Sequence, residues 1–398
     1  MRKNIYLKNC ISQNHFKKTL YVKDRVKLNK IINSIFATLD IKKDALHTLS
    51  KKFNFNFNSP ELLRFKKYKS VILIGMGGSV LGAKAIYSFL EDKIKKNFFF
   101  IDNLNQLKIE KIKKKINLKK SLFIIISKSG NTLETLVNSN LFKNIINNKN
   151  TIIITEEKPN LLNTFAKNKK ILQIKHKDYI GGRFSVLSEV GMVPAYFMGL
   201  KISRFKKNLL DFFETKEKFL LIDNVIKLSH IYKYKKIKSI ILLNYVPEVN
   251  KFLYWSQQLI AESLGKKGKG MLPVVSPAPR DHHSLLQLYL DGPKDKLFYI
   301  FSQKPSKKIK KNKNFFGKTF NYLSNAKEAQ KNALIQVLKS KNIPYQEFVI
   351  DKKNQETLGK LFSYFMLETV LIGKLLGVNP FDQPAVEQVK ALTKKYLS

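Results

Sequence analysis

Small hydroxyl side chains follow directly on an apolar stretch in the first half of the chain. Residues 122–126 are Leu-Phe-Ile-Ile-Ile, and residues 127–135 contain two serines, two threonines, an asparagine and a glycine. Backbone N–H groups at the start of a helix are free to bind an anion, and hydroxyls add hydrogen bonds to it. We therefore predict a phosphate site, and hydroxyls without further lysines suit a compact monoester. The candidate ligands in this loop are Ser127, Lys128, Ser129 and Thr132.

A glycine-rich loop is a second candidate for holding the same phosphate. Gly75-Met-Gly-Gly-Ser79 follows the apolar residues 71–74, and a helix is predicted to begin at Ser79, with that serine as its N-cap. In an open parallel sheet, ligands bind beyond the carboxyl ends of the strands, where the strand order reverses. Two such loops in one sheet favour a bound phosphate over two unrelated turns, and they add Gly78 and Ser79 to the candidates.

Two nucleotide-binding motifs are alternatives for these loops. A dinucleotide fingerprint starting at Gly75 requires a third glycine at position 80, where the chain has Val80. Asp102, at the end of the next predicted strand, is the acidic residue that such a site needs, so this alternative is weakened but stays open. A Walker loop does not fit, because Lys128 precedes the glycine of its loop.

Apolar strands alternate with helical stretches along most of the chain. The predicted strands are 71–74, 98–101, 122–126, 151–154, 171–174, 237–243, 273–276, 297–302 and 348–351. The predicted helices are 79–90, one from about 132, 247–264, 358–376 and 384–396. Continuous apolar strands between helices are typical of parallel sheets covered on both faces. We therefore predict an α/β protein with two αβα sandwich domains in succession.

The predicted domain division has four parts. A helical N-terminal segment precedes the two α/β domains, of which the first carries the phosphate loops, and a C-terminal helix follows them. The predicted boundaries are 1–65, 66–205, 206–378 and 379–398. Within the second domain, residues 304–318 are rich in lysine and are predicted to form a surface loop.

The charge of the chain raises the question of nucleic-acid binding. The chain has 398 residues, with 74 lysines and arginines against 29 acidic residues, for a net charge of +45. A basic surface attracts phosphate backbones, but base readout and bidentate phosphate contacts favour arginine, which is scarce in this sequence. No nucleic-acid-binding motif is present. We expect a solvated, lysine-rich surface and no specific nucleic-acid partner, with a nucleic-acid arm at 304–318 as the alternative.

Composition also bears on location and on metal binding. No stretch approaches the roughly 18–20 apolar residues of a membrane-spanning helix, so no membrane partner is expected. The first ten residues have no apolar signal core, and Cys10 is the one cysteine. A single thiol forms neither an internal disulfide nor a cysteine-rich metal site. We expect a cytoplasmic protein.

Five sequence blocks together resemble a known family. Ser-Lys-Ser-x-x-Thr-x-Glu-Thr at 127–135 resembles the phosphate loop of sugar isomerase (SIS) domains. The others are I-G-M-G-G-S at 74–79, G-G-R-F-S-V-L-S at 181–188, Q-x-x-x-E-S-x-G-K at 258–266, and F-D-Q-x-x-V-E-x-x-K at 381–390. In this order they resemble the shorter bacterial type of the phosphoglucose isomerase family, from about residue 66 onwards. The resemblance implies two SIS-type domains.

The resemblance also implies a reaction, the reversible isomerisation of glucose 6-phosphate and fructose 6-phosphate in glycolysis and gluconeogenesis. A base moves a proton between C1 and C2 through a cis-enediol, without cofactor or metal. The implied base is Glu262, with Gln258 one helical turn earlier on the same face as a substrate-binding residue. Arg183, which follows the substrate-binding Gly182, is implied to stabilise the developing negative charge.

Opening of the sugar ring is implied to involve residues further along the chain. His283 and Gln287 match the H-x-x-x-Q element of the family, and His283 is the implied acid/base, with the adjacent His282 as the alternative. Lys390 is implied to assist ring opening, and Gln383 to help bind phosphate. In the family the histidine comes from the partner subunit, which implies an obligate homodimer with shared active sites and a C-terminal helix that packs back on the active site.

Two departures from the family and two alternative functions remain. Leu264 stands where the family often has asparagine, and Pro384-Ala385 replaces a frequent aromatic-glycine pair. A bifunctional phosphoglucose/phosphomannose isomerase would require only small changes around Gln258 or Leu264. A non-catalytic SIS regulator requires only the phosphate loops, so the presence of Glu262, Arg183, His283 and Lys390 favours an enzyme.

Overall fold

A computed structural model describes residues 5–12, 15–16, 18–42, 44–234, 236–304 and 323–397. The surface loop predicted at 304–318 lies outside these residues beyond its first position. The strands are β1 Ile5–Asn9, β2 Ser70–Gly75, β3 Asn97–Ile101, β4 Ser121–Ile126, β5 Thr151–Thr155, β6 Leu172–Lys175, β7 Ser239–Asn244, β8 Leu272–Pro277, β9 Lys296–Gln303 and β10 Tyr345–Ile350.

Helices connect and cover these strands. They are α1 Lys18–Thr38, α2 Ser59–Leu63, α3 Gly78–Phe89, α4 Gln106–Lys115, α5 Leu133–Asn140, α6 Leu161–Asn168, α7 Glu189–Phe197, α8 Ile202–Phe205, α9 Asp211–Glu214, α10 Glu217–Tyr234, α11 Asn250–Leu264, α12 Leu286–Leu290, α13 Leu323–Ser340, α14 Gln355–Leu376 and α15 Val386–Leu397. Within the described part of the chain, none of them is long and apolar enough to cross a membrane.

The first sheet is entirely parallel and has the strand order β3-β2-β4-β5-β6. Its central strands are continuously buried, and their isoleucines suit a pleated surface that is covered on both faces. The chain runs from β2 outward to β3 and then returns to place β4 on the other side of β2. The strand order therefore reverses between β2 and β4, whose carboxyl ends are paired at Gly75 and Ile126.

The second sheet has the order β1-β10-β9-β7-β8 and its own reversal, between β7 and β9. All nine predicted strands are present in the two sheets, which confirms the α/β class. The prediction of a wholly helical N-terminal segment was wrong, because β1 pairs antiparallel with β10. The five residues of β1 are too few to give a clear period-2 pattern. The strand forms because β10 offers an unpaired edge, and Ile5 packs into the core there.

A continuous core joins the two sheets. The principal cluster of buried apolar side chains draws on β2 and β4 of the first sheet, β7 and β9 of the second, and the helices α3, α11 and α14. Every residue of α14 is buried except Glu356 and Lys374. Gly359 permits a close contact in this helix, since a Cβ there would lie 2.2 Å from the carbonyl oxygen of Phe205. This core fixes α3 against α11. The predicted domain boundary between residues 205 and 206 stays a prediction.

Candidate active site

The glycine-rich loop after β2 brings α3 into contact with two other candidate segments. Gly77 has a φ of +50°, and a Cβ at this position would lie 2.8 Å from Gln258 Nε2. A Cβ at Gly78 would lie 2.1 Å from the carbonyl carbon of Gly182. Side chains larger than hydrogen therefore do not fit. Gly77 occupies the cap position of α3, so the prediction of Ser79 as N-cap was wrong, and Ser79 lies in the first turn.

The loop after β4 lies at the neighbouring strand end. Ser127 is buried, and its Oγ lies 2.8 Å from Thr132 Oγ1 and accepts a hydrogen bond from the Gly130 N–H at 3.2 Å. Gly130 has a φ of +67°, and a Cβ there would lie 1.9 Å from Asn160 Oδ1. Thr132 occupies the cap position of α5, but its side chain makes no capping hydrogen bond. Two hydroxyls are thus held together beside a helix amino end.

Thr135 carries a further hydroxyl of this loop, for which the sequence predicted no role. It is buried in the first turn of α5, and its Oγ1 has no hydrogen-bond partner among the described residues. Leaving a buried hydroxyl unpaired costs about 1–3 kcal/mol, which a ligand oxygen would recover. Its place as the last residue of the quoted motif was the available signal.

The other two residues predicted from this loop make different contacts. Lys128 donates to the carbonyl oxygen of Asp178 at 2.6 Å and forms an ion pair with Glu156 at 3.5 Å. Ser129 is exposed, and its Oγ accepts a long hydrogen bond of 3.3 Å from the Asn131 N–H. Of the four loop candidates, the structure therefore brings Ser127 and Thr132 together and directs Lys128 towards other partners.

Glu262 lies two residues before the end of α11, and each of its carboxylate oxygens has a partner. Oε1 accepts a hydrogen bond from Gln258 Nε2 at 2.8 Å, and Oε2 accepts one from Arg183 Nη1 at 3.1 Å. The side chain is 31% exposed, so the carboxylate is fixed in position while it remains reachable. Gln258 also contacts Gly77, which places the carboxylate next to the amino end of α3.

Arg183 connects three separate parts of the chain. It follows Gly182 in a short 3₁₀ segment, and its side chain is fully buried. Burial lowers the pKa of Arg183, and the adjacent carboxylate of Glu262 opposes this effect. All five guanidinium N–H groups meet acceptors: Ser263 Oγ (2.8 Å), Glu262 Oε2 (3.1 Å), Gln383 Oε1, and the carbonyl oxygens of Pro380 (2.7 Å) and Asp382 (3.0 Å).

An ion pair fastens the segment before the last helix to the end of α11. Lys266 Nζ donates to Asp382 Oδ1 at 2.6 Å, and this hydrogen bond lowers the pKa of Asp382. The segment thereby presents Gln383 to Arg183. Ser263 and Lys266 belong to the motif at 258–266, but their partners lie 80 and 116 residues away in the sequence. The sequence alone gave neither residue a role.

His283 and Lys390 do not contact Glu262 or Arg183 within the described chain. His283 is exposed, whereas the neighbouring His282 is half-buried with its Nε2 2.7 Å from the Tyr245 hydroxyl. Lys390 lies on α15, is 61% exposed and forms an ion pair with Glu387 at 2.7 Å. The helix α15 buries none of its residues. In the C-terminal part of the chain that the structure describes, residues 380–383, which precede α15, pack against Arg183.

The two departures from the family pattern have separate surroundings. Leu264 is buried, and a Cβ on Gly373 of α14 would lie 3.4 Å from it, so this side chain belongs to the core and faces no ligand. Pro384 precedes α15, which begins at Val386, two residues later than predicted. Among the described residues, no group of three or more His, Cys, Asp or Glu side chains is placed to hold a metal ion.

Comparisons with known proteins address the family directly. The model of the phosphoglucose isomerase family matches residues 4–272. The probable glucose-6-phosphate isomerase of Methanococcus maripaludis is 32% identical over 394 residues, which covers 93% of this chain and 86% of that protein. The glucose-6-phosphate isomerase of Campylobacter jejuni is 32% identical over 377 residues, which covers 88% of this chain and 91% of that protein.

Solved structures share the fold. A glucose-6-phosphate isomerase from Chlamydia trachomatis superposes with a TM-score of 0.79 at 17% identity, covering 99% of this chain and 88% of that one. A hypothetical protein from Thermus thermophilus superposes with a TM-score of 0.80 at 22% identity and covers 99% of this chain and all of that one. The sequence matches extend over both sheets, and the chain therefore belongs to the phosphoglucose isomerase family.

Proposed function

We propose that this chain interconverts glucose 6-phosphate and fructose 6-phosphate. The observation that supports this proposal is the position of the Glu262 carboxylate. Gln258 and Arg183 each donate a hydrogen bond to it, and Gln258 lies against Gly77. A half-exposed carboxylate beside a phosphate-binding crevice can abstract a proton from a bound sugar. The proposal extends to the place of the reaction in glycolysis and gluconeogenesis. It also extends to a cytoplasmic location, which the single cysteine of the sequence supports.

The substrate phosphate is held by the two loops at the reversal of the first sheet. Ser127 and Thr132 supply paired hydroxyls, and Thr135 adds one that is otherwise unpaired. The amino ends of α3 and α5 supply free backbone N–H groups and the positive ends of their dipoles. Hydrogen bonds to a charged group contribute about 1.5–3 kcal/mol each, so this site anchors the end of the sugar remote from the reacting carbons.

The proton transfer uses the carboxylate of Glu262. In the direction of fructose 6-phosphate, Glu262 takes the proton from C2 of the open-chain aldose. The C–H electron pair forms the C1–C2 double bond, and the carbonyl pair moves onto O1. Transfer of the O2 hydroxyl proton to O1, through the cis-enediol, leaves O2 free to form the C2 carbonyl. The same carboxyl then returns the proton to C1. Arg183 lies beside this centre, and its charge stabilises negative charge developing on the sugar oxygens. Positioned proton transfer of this kind contributes about 10²–10⁴ to the rate.

Ring opening is assigned to His283 of the partner subunit in a homodimer, with assistance from Lys390 on the C-terminal helix. Both side chains are exposed and remote from Glu262 in the single chain. Exposed apolar side chains on the same helix as Lys390 support a covered interface: Val389 at 67%, Leu392 at 53% and Tyr396 at 85% exposure. A surface of this kind is typical of an interaction site.

A mixing experiment tests the shared site. Chains with Glu262→Gln and chains with His283→Ala are each expected to be inactive, and they are then unfolded together and refolded. A hybrid dimer holds one site with both intact residues, so a random mixture recovers about a quarter of the wild-type activity. No recovery, with dimers demonstrated by light scattering, contradicts the shared site. His282→Ala is the matched control and is expected to retain activity, since Tyr245 engages that ring.

Direct assay tests the function itself. Purified protein is supplied with fructose 6-phosphate, and glucose 6-phosphate formation is followed with and without a chelator. Turnover unaffected by the chelator supports the proposal. Tight binding of the sugar phosphate without turnover would indicate a SIS regulator instead. Mannose 6-phosphate, run in parallel, tests the bifunctional alternative, which the arrangement around Gln258 leaves open because its Oε1 is buried without a partner among the described residues.

A further inference from the structure

The second sheet has a crevice of its own, in a different part of the molecule from Glu262. The strand order reverses between β7 and β9, and a cavity of about 350 Å³ opens beyond their carboxyl ends. Tyr245 and Val246 follow β7 in its wall, Ser302 is the residue before the last of β9, and Ser324 lies at the start of α13. Small-molecule sites occupy roughly 300–1,000 Å³ and occur at such reversals. Position and size therefore fit a small ligand.

A buried hydroxyl in this wall lacks a partner. Ser302 is 3% exposed, and its Oγ makes no hydrogen bond within the described part of the chain. Most buried hydroxyls in proteins have a partner, and one that lacks it costs about 1–3 kcal/mol. A ligand oxygen at the cavity wall would satisfy this group. The observation is independent of the strand topology.

One lysine at the cavity, Lys327, lies close enough to the Glu248 carboxylate for its charge to act on it but forms no direct ion pair with it in the described part of the chain. Glu328 pairs with Lys331 at 2.6 Å, and Glu248 pairs with Lys353. Lys304 is 3.7 Å from Asp351. Lys327 lines the cavity and, within the ranges that the structure describes, forms no ion pair or hydrogen bond. It lies in the second turn of α13, an 18-residue helix whose amino end carries a partial positive charge.

We infer that this crevice binds a small polyol that carries one phosphate monoester group. Lys327 and the amino end of α13 attract the phosphate, and the Ser302 hydroxyl donates to a ligand oxygen. Glu248 and Glu328, already neutralised by lysines, accept hydrogen bonds from the ligand hydroxyls.

Equilibrium dialysis with radiolabelled glycerol 3-phosphate tests this site. The probe is a small polyol phosphate and lacks the carbonyl chemistry of an aldose or ketose. Wild-type protein is expected to bind two molecules per chain. The double variant Ser127→Ala/Thr132→Ala is expected to lose the site in the first sheet and keep the other. Lys327→Ala is expected to weaken the second site about tenfold or more, because it removes a charged donor.

Two controls show whether the effect of Lys327→Ala is specific to the second site. Lys339→Ala removes an exposed lysine from the same helix, away from the cavity, and is expected to bind two molecules as the wild type does. Lys327→Ala is expected to turn over fructose 6-phosphate at the wild-type rate. The inference is overturned if wild-type protein binds a single molecule that the Ser127/Thr132 variant loses, or if Lys327→Ala leaves both affinities within twofold. If the Ser127→Ala/Thr132→Ala variant still binds two molecules, the proposed phosphate site in the first sheet is wrong, and the inference about the second crevice is unaffected.

Discussion

The two sheets of the molecule have similar crevices but different chemical groups beside them. In both, the order of parallel strands reverses next to a central strand, β2 in the first sheet and β7 in the second. The first crevice faces paired hydroxyls and a carboxylate held by Arg183 and Gln258. The second faces lysines, glutamates neutralised by lysines, and one unpaired hydroxyl.

The difference indicates that this strand topology provides a crevice, whereas the chemical groups beside it depend on other parts of the chain. Glu262, the proposed base of the first crevice, belongs to α11, which follows β7 of the second sheet. It reaches the first crevice because α3 and α11 pack against each other, and because Gly77 has no side chain that would collide with Gln258 of α11. Catalysis therefore depends on contact between the two α/β units.

Glu262→Gln is expected to remove most of the activity and tests whether a catalytic base distinguishes the first crevice from the second. The amide keeps the shape and can still contact Gln258, but it cannot take a proton. We expect kcat to fall by about 10³-fold or more, with fructose 6-phosphate binding largely retained. Coupled-assay kinetics and calorimetric binding measure the two quantities. Glu110→Gln, on the surface helix α4, is the control, and wild-type kcat in the Glu262 variant would remove the distinction between the crevices.

Arg183→Lys is expected to have the next largest effect. Lysine keeps the charge but offers three donors where the guanidinium uses five, so buried carbonyl oxygens of Pro380 and Asp382 lose partners. We expect kcat to fall by about 10²-fold and unfolding in urea to shift to lower concentration. Arg204→Lys, at an exposed arginine, is expected to change neither. Unaltered kcat with lowered stability would restrict Arg183 to a structural role.

Single substitutions in the hydroxyl loop are expected to act mainly on KM. Ser127→Ala, Thr132→Ala and Thr135→Val each remove one hydroxyl from the proposed phosphate site. Each is expected to raise KM for fructose 6-phosphate about tenfold, since a hydrogen bond to a charged group is lost, while kcat changes little. Ser34→Ala removes an exposed hydroxyl and serves as the control. If all three variants keep the wild-type KM, the phosphate does not bind in this crevice.

Glu368, a buried carboxyl on α14, is expected to affect the stability of the protein and not its catalysis, in contrast to Glu262. Glu368 accepts hydrogen bonds from the Tyr299 and Tyr364 hydroxyls, at 3.0 and 2.7 Å. Burial raises the pKa of Glu368 from its ordinary value of 4.5 to about 7. Between these values the folded state retains a proton that the unfolded state has released, so the free energy of unfolding falls as pH rises through this window.

Urea unfolding at pH 5 and pH 8 measures this dependence. Glu368→Gln removes the ionisation while keeping a carbonyl acceptor for a tyrosine hydroxyl. The variant is expected to gain stability relative to the wild type between pH 5 and pH 8, by an amount on the order of 1–3 kcal/mol. Glu356→Gln, on the same helix but outside the core, is the control. An equal difference between variant and wild type at both pH values would show that Glu368 does not titrate in this range.

Sequence reasoning predicted the fold well because the strands are long apolar runs. Nine strands were found from continuous Ile, Leu, Val and Phe, a signal that does not depend on distant partners. β1 was missed because Ile5-Tyr6-Leu7-Lys8-Asn9 becomes a strand through its pairing with β10, more than 300 residues away. Ser79 was misplaced as the N-cap because Gly77 takes that position with a positive φ, which a hydroxyl signal does not reveal.

The site was predictable where one motif holds the functional groups and unpredictable where distant side chains meet. Gln258 and Glu262 are one turn apart, so their contact follows from helical spacing. Ser263, which accepts a hydrogen bond from Arg183, had no local signature, because the two are 80 residues apart. The different surroundings of His282 and His283 also could not be read from adjacent positions. Burial of one ring against Tyr245 distinguishes them.

The contact between Arg183 and Gln383 has a consequence for biosynthesis. The two residues are 200 positions apart, so at about 5–20 residues per second a ribosome adds the second roughly 10–40 s after the first. During that interval the guanidinium lacks at least three of its acceptors, which lie at Pro380, Asp382 and Gln383. The surroundings of Arg183 are therefore complete only after the C-terminal segment has been synthesised and has packed against the end of α11.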